Sequence, residues 1–226
     1  MNDISNVISE YLVKLNDVSV LESLYLFDFN KKDLPFSISI KSEKFFEKSI
    51  ELKNGLNSIW EQSKQPIKGD VIEYYIKGWG GIKKNSELKM NEYRTQTTNQ
   101  LLTRGYEGIS SWSKALVIHN PNEYFIYDSR VAFSINCIQQ KFDLNTKYRF
   151  EIPSGQGQLV KKGTGLLISK YNFNNWNIKI PKGEVYSFYL TLLESISNQT
   201  GFNKSKIEMS LFAIAPNIAS ELIYLS

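Results

Sequence analysis

A single cysteine and a single histidine are all that this chain of 226 residues offers of the side chains that most often build metal sites. Cys137 has no second cysteine for an internal disulfide, and the lone His119 excludes a two-histidine zinc site. No nucleophile-elbow pattern accompanies His119 to suggest a serine–histidine triad. No apolar run approaches the length that crosses a membrane, and the opening residues Met1 to Ser5 lack the basic segment and apolar core of a secretory signal. A cytoplasmic chain with no membrane partner, metal or other cofactor is expected. Neither sign of charge dominates: 27 Lys and Arg stand against 23 Asp and Glu, for a net charge of +4. That balance permits a basic face for nucleic acid without requiring one. Repeats, heptad seams and low-complexity tails are missing as well.

What is present is helical periodicity. With 42% hydrophobic residues the chain can bury a core as one or two domains. Apolar residues recur at three- and four-residue steps over 4–15, 18–27, 43–62, 71–76 and 88–102. Further on, 148–152 reads as extended, 153–158 as a Pro/Gly loop, 159–170 as helix despite Gly163 and Gly165, and 173–180 as an edge strand. Two more helices are predicted over 185–197 and 204–225, the second kinked at Pro216. The expected class is mainly α with a few short strands.

The most informative stretch runs from Glu107 to Asp128. Gly108 permits a sharp turn, and Ser110 or Ser111 can cap the helix that follows. Trp112, Ala115, Leu116 and His119 fall on one face of that helix, which Asn120-Pro121-Asn122 ends. His119, last on this face, reads as a packed or capping side chain. A glycine turn at a helix N-terminus is a good phosphate seat, and it is equally an ordinary joint between core helices. Residues 124–127 are aromatic and apolar, too short for a helix and best read as extended. Asp128 follows, with Val131, Ala132, Ile135, Ile138 and Phe142 at helical spacing behind it. Spacing alone makes Asp128 an N-cap whose ionised form the helix favours.

This constellation resembles the helix-hairpin-helix superfamily of DNA glycosylases. The family's hairpin reads approximately Pro-Gly-Ile/Val-Gly-Arg-(Lys or Trp)-Thr-Ala and is followed, after one helix and an extended stretch, by a catalytic aspartate that begins the next helix. Residues 107–114 align with that hairpin without a gap, and Asp128 falls where the aspartate would. The likeness covers 101–142, about a fifth of the chain. Glu107 replaces the usual Pro, Ser110 the second Gly and Lys114 the Ala, and the interval from helix to aspartate is shorter than typical. The resemblance implies a two-lobed helical fold in one domain, 1–226, with lobe A at about 1–70 plus 143–226 and lobe B at about 71–142, the hairpin at 103–114. It implies double-stranded DNA as partner, a modified base flipped out of the duplex, and Asp128 as the catalytic residue. Members that form a Schiff base carry lysine at the hairpin position where this chain has Trp112. Lys114 lies two residues on, about 200° around the helix, and does not replace it. A monofunctional enzyme is therefore expected, one that releases the base with water.

Around this core the expected DNA contacts are Gly108, Ser110, Ser111, Lys114, Arg104 and Arg130, with Lys83, Lys84, Arg94, Lys161 and Lys162 as further cations. Trp112, Trp79, Tyr127, Gln156 and Gln158 are expected at the base pocket. Trp79 stands in a run of aromatics and glycines that suits core packing as well, and the two glutamines on their glycine loop suit an exposed turn equally. Trp112 resembles the alkylated-base members. The Asn, Gln, Ser and Tyr around the candidate pocket favour a polar modified base, and phage-defence enzymes that excise glucosylated hydroxymethylcytosine are the preferred comparison. A repair enzyme for alkylated bases, a DNA-binding module without catalysis and a helical protein-interaction domain are the alternatives. A monomer is favoured.

Overall fold

The computed structural model describes residues 2–15, 18–155 and 157–224. The protein is mainly helical, with 65% helix against 2% strand. In chain order the helices are α1 (Asn2–Lys14), α2 (Val18–Leu24), α3 (Phe45–Gln62), α4 (Ile67–Glu73), α5 (Glu87–Thr95), α6 (Thr98–Leu102), α7 (Ile109–His119), α8 (Ser129–Lys141), α9 (Gln158–Ser169), α10 (Val185–Thr200) and α11 (Lys204–Tyr224). A π-helical turn, Tyr74–Trp79, continues α4, and two short strands, β1 (Tyr148–Arg149) and β2 (Ile178–Lys179), pair in parallel. The helix expected over 88–102 is two helices. The first ends at Thr95 with Gln96 as its C-cap, and Thr97 caps the second in a reciprocal capping box with Gln100.

The chain divides into two compact units, Met1–Tyr25 with Tyr127–Ser226, and Leu26–Ile126. The lobes drawn from sequence placed these boundaries at 70/71 and 142/143. Packing explains the difference: α3 lies against α4 and α7, while α8 lies against α1, α9 and α11. The segment 26–70 therefore goes with the hairpin, and α8 goes with the terminal helices.

Each unit is built around one helix buried on all sides, as a core helix must be when neighbours cover its whole circumference. In the unit Leu26–Ile126 this is α7, whose residues 109 and 111–119 are all buried. Asn57 of α3 donates to the last carbonyls of α7, those of Ile118 and His119, so orphaned acceptors at that end are satisfied. In the unit with the termini the central helix is α8, buried from Val131 to Gln139. Ser134 ties it to α11 by donating to the Leu211 carbonyl at 2.6 Å.

Two buried amides on α8 hold the extended segment 148–150. Asn136 bonds both the N–H and the carbonyl of Phe150, and Gln139 does the same for Tyr148. Side chains here substitute for a strand that the two-stranded pair lacks, which meets the requirement that buried backbone groups find partners. The helix α11 runs through Pro216.

Candidate functional site

The hairpin belongs to the unit Leu26–Ile126. Gly105 and Gly108 both have left-handed backbones, at φ 68° and 70°. Gly108 serves as the N-cap of α7 with no side-chain cap, and its carbonyl accepts from Ser111 and Trp112. A Cβ at position 108 would lie 2.3 Å from the Tyr93 hydroxyl, so both backbone and space call for glycine. Tyr93 is fully buried, and its hydroxyl has no hydrogen-bond partner among the described residues. The Ser110 hydroxyl is likewise buried and unpartnered among them. Both oxygens are sealed from solvent, so they belong to the packing of the turn, and the start of α7 is left without a side-chain cap.

Not every hairpin residue expected to touch DNA is offered to it. Ser111 is buried and accepts from Asn85 at 2.9 Å. Lys114, expected as a surface cation, is 4% exposed. Its ammonium donates to the Ser110 carbonyl, and its stem lies against Gly80. Arg104 stacks over the Tyr93 ring at 4.9 Å and bonds Gln96 and Glu92. These three brace the turn: Ser111 and Lys114 lie on a helix with no free face, and Arg104 is held in the turn before it by Gln96, Glu92 and the Tyr93 ring. Trp112 is fully buried beneath Gly108 and lines no open pocket. Trp79, half-buried at the end of the π-helical turn, stacks on Tyr75 at 4.4 Å and takes the edge of Phe27 at 4.9 Å. Its indole N–H is buried without an acceptor among the described residues.

Asp128 belongs to the other unit, the chain passing between the two at Ile126 and Tyr127. It is half-buried and has extended backbone geometry as the N-cap of α8. One carboxylate oxygen, Oδ1, accepts from the N–H groups of Arg130 and Val131, both at 3.0 Å. The other, Oδ2, makes no hydrogen bond among the described residues. Arg130 lies in the first turn of α8 with its guanidinium 4.5 Å over Phe212, and no carboxylate pairs with it among the described residues.

Tyr127, expected at the pocket, is fully buried: its hydroxyl donates to the Glu151 carbonyl and its ring meets Tyr189 edge-on at 5.2 Å. Tyr189 is sealed in the core, and burial pushes its phenol well up, with the charge of Glu208 the next contribution and those of Tyr186, Asp128 and Tyr127 behind it. Glu208 is a carboxylate only 3% exposed on α11, a position that sequence reasoning passed over. Its signal was a lone acid inside the apolar run 207–215. Gln158 opens α9 and is exposed, and Gln156 lies outside the described residues. The residue before Gln156 reaches α8: Gly155 packs on Ser129, the residue after Asp128.

Two remaining candidates have structural explanations. Burial raises the Cys137 thiol well above its ordinary range, which leaves it unreactive. His119 stacks on Trp60 at 4.4 Å and bonds Thr98 through Nδ1. Burial, with help from Lys68, lowers its pKa to about 4. Among the described residues no group of three His, Cys, Asp or Glu side chains is placed to hold a metal ion, and no helix is long and apolar enough to cross a membrane. Comparison with family models, with curated proteins and with solved structures returned no match.

Proposed function

We propose that this protein is a monofunctional DNA glycosylase that hydrolyses the bond between a modified base and its deoxyribose. The observation that carries the reading is the divided use of Asp128, whose Oδ1 holds the start of α8 while Oδ2 stays unbonded on a half-buried carboxylate. Departure of a base breaks the C1′–N bond, sends the electron pair to the base and leaves positive charge on the sugar, as in glycoside hydrolysis. A preorganised carboxylate stabilises that charge, and its free oxygen can take the proton of the attacking water. The left-handed Gly108 supplies an uncapped helix start, of the kind that suits a backbone phosphate. Arg130, without a carboxylate partner among the described residues, adds a cation two positions from Asp128. Trp112 at the hairpin position, in place of a lysine, is why no lyase step is assigned.

A base with a polar substituent is the preferred substrate, glucosylated hydroxymethylcytosine of phage DNA before alkylated purines, because Asn, Gln, Ser and Tyr surround the candidate stretches. The second reading, a DNA-binding protein without catalysis, draws on the two N–H bonds to Asp128, which a cap alone would also make. The test is mass analysis of free bases released from several DNAs, including phage DNA with glucosylated cytosines and alkylated DNA, by wild type and Asp128→Asn. Release by the wild type alone is expected. Equal release by both removes Asp128 from the reaction, and release by neither leaves the binding reading.

A further inference from the structure

The segment that precedes α3 has the character of a strand without a sheet. Burial alternates without a break from Leu34 to Glu43, the even-numbered residues half-buried and the odd-numbered ones exposed, which is the period of an extended chain lying on a surface. Leu34 and Lys44, near its two ends, have extended backbones. Its inner face is anchored within the unit Leu26–Ile126. The Phe36 ring meets Tyr74 edge-on at 6.0 Å, and Ile38 fills the space that a Cβ on Gly55 would need, 2.3 Å from such an atom. The Glu51 carboxylate takes the N–H groups of Lys41 and Ser42 at 2.6 and 3.1 Å. From Phe36 to Ile40, in contrast, no N–H donates and no carbonyl accepts a hydrogen bond among the described residues.

Free donors and acceptors along an extended, alternating segment are a template for a further strand. The strand that this one fits is its own copy. Phe36-Ser37-Ile38-Ser39-Ile40 shows the same order of apolar and polar residues in both directions. An antiparallel pair with its two-fold axis at Ile38 therefore sets Phe36 opposite Ile40 and Ser37 opposite Ser39, with apolar side chains on the inner face of both copies and hydroxyls on the outer. No charge lies between Asp33 and Lys41 to oppose that approach. Pro35, which has no N–H, and the amides of Lys41 and Ser42, already bound to Glu51, confine the pairing to 36–40. We propose that residues 36–40 are a self-pairing edge through which two copies of this chain form a closed, reversible two-fold dimer. A contact so short belongs to the weak class of interfaces, with a Kd on the order of 100 µM. The inference is independent of the glycosylase reading.

Sedimentation equilibrium from about 10 µM to about 1 mM, a range that brackets such a Kd, tests this. The samples are wild type, the double variants Ser37→Lys/Ser39→Lys and Ser37→Glu/Ser39→Glu, and an equal mixture of the two variants, each checked by thermal melting. Wild type should pass from monomer to dimer over the range. Each variant alone should associate about tenfold more weakly or less, since like charges then face each other across the two-fold axis, and the mixture should dimerise again by pairing opposite charges. A destabilised fold does not produce that mutual rescue. Should a variant fail to fold, wild type supplies the readout by itself. Hydrogen exchange at alternate amides of 36–40 should slow about fivefold between the two ends of the range, as about four-fifths of the chain enters the dimer. A wild type that stays monomeric at the highest concentration, variants that associate as well as wild type, a mixture no better than its components, or amides of 36–40 that exchange equally fast throughout overturns the proposal. A monomeric wild type whose 36–40 amides are protected instead by an unrelated peptide of the same alternation assigns the edge to a different partner and overturns it too.

Discussion

Two helices, α7 and α8, stand at the centre of their units, and they begin in opposite ways. The first opens on a left-handed glycine with no side-chain cap and with unpartnered hydroxyls close by. The second opens on an extended aspartate that fills the same kind of site with the chain's own negative charge. A helix start carries roughly half a positive charge, so the bare one attracts an anion and the filled one has its attraction already met. The contrast assigns different chemistry to the two starts. In the proposed reading a phosphate would sit at α7, whereas α8 presents a carboxylate with one oxygen unbonded among the described residues.

The strongest way to break this contrast is to remove the charge at α8 while keeping the cap. Asp128→Asn retains a good N-cap and should reduce base release about a hundred- to a thousandfold, the usual effect of deleting one preorganised charged group in a site. DNA affinity, measured at two salt concentrations, should stay within about twofold of wild type, because phosphate contacts carry that affinity. Parallel loss of binding and release would mean that α8 also holds the strand.

A second test addresses the far end of α7. His119 remains neutral in the folded protein down to about pH 4, because burial and Lys68 oppose its charge. In the unfolded chain it takes a proton near its ordinary 6.5. Between those values the unfolded state binds the proton more readily. Its contribution to stability is therefore complete above about pH 6.5 and falls away as the pH drops toward 4, by about 3 kcal/mol in all. Urea midpoints across that window should show the slope, and His119→Phe, which keeps a ring on Trp60, should flatten it. An equal slope in the variant would place the pH sensitivity elsewhere.

The bare start of α7 is tested by Gly108→Ala. Alanine in a left-handed backbone costs about 1–2 kcal/mol, and its methyl group would meet the Tyr93 hydroxyl besides. A loss of about 2 kcal/mol in unfolding free energy is expected, with the steric part recovered by Tyr93→Phe. Stability unchanged by Gly108→Ala would show that the turn tolerates another geometry, and the contrast with α8 would lose one side.

Much of this was legible along the chain, and the parts that were not share a cause. Asp128 and its helix followed from local spacing: the cap bonds Arg130 and Val131 as the residue order requires, and Val131, Ala132, Ile135 and Ile138 are buried. Gly108 was legible for the same local reason. Reading α7 as a helix with one apolar face missed Ser111, Ser113 and Lys114, which are buried because α3, α4, α5, α6 and the π-helical turn all pack on it. The ammonium of Lys114 is satisfied by Ser110 one turn away, a solution that periodicity does not reveal. The capping box that splits 88–102 was visible at Thr97 and Gln100 and lay unused in the helical reading. The approach of Gly155 to Ser129 joins residues far apart in sequence, and only packing brings it to light.

The smallest effect sharpens the comparison most, because it separates the two oxygens of one residue. Asp128→Ala removes the bonds to both N–H groups and should cost about 1 kcal/mol, the usual value of a lost N-cap. Asp128→Asn keeps an acceptor for them and should lie within a few tenths of wild type in the same urea titration. If the two variants rank so in stability yet are equally inactive, Oδ1 serves the fold and the charge serves the reaction. Equal destabilisation by asparagine and alanine would instead make the negative charge itself the stabiliser of α8, and the free oxygen would then have no role of its own.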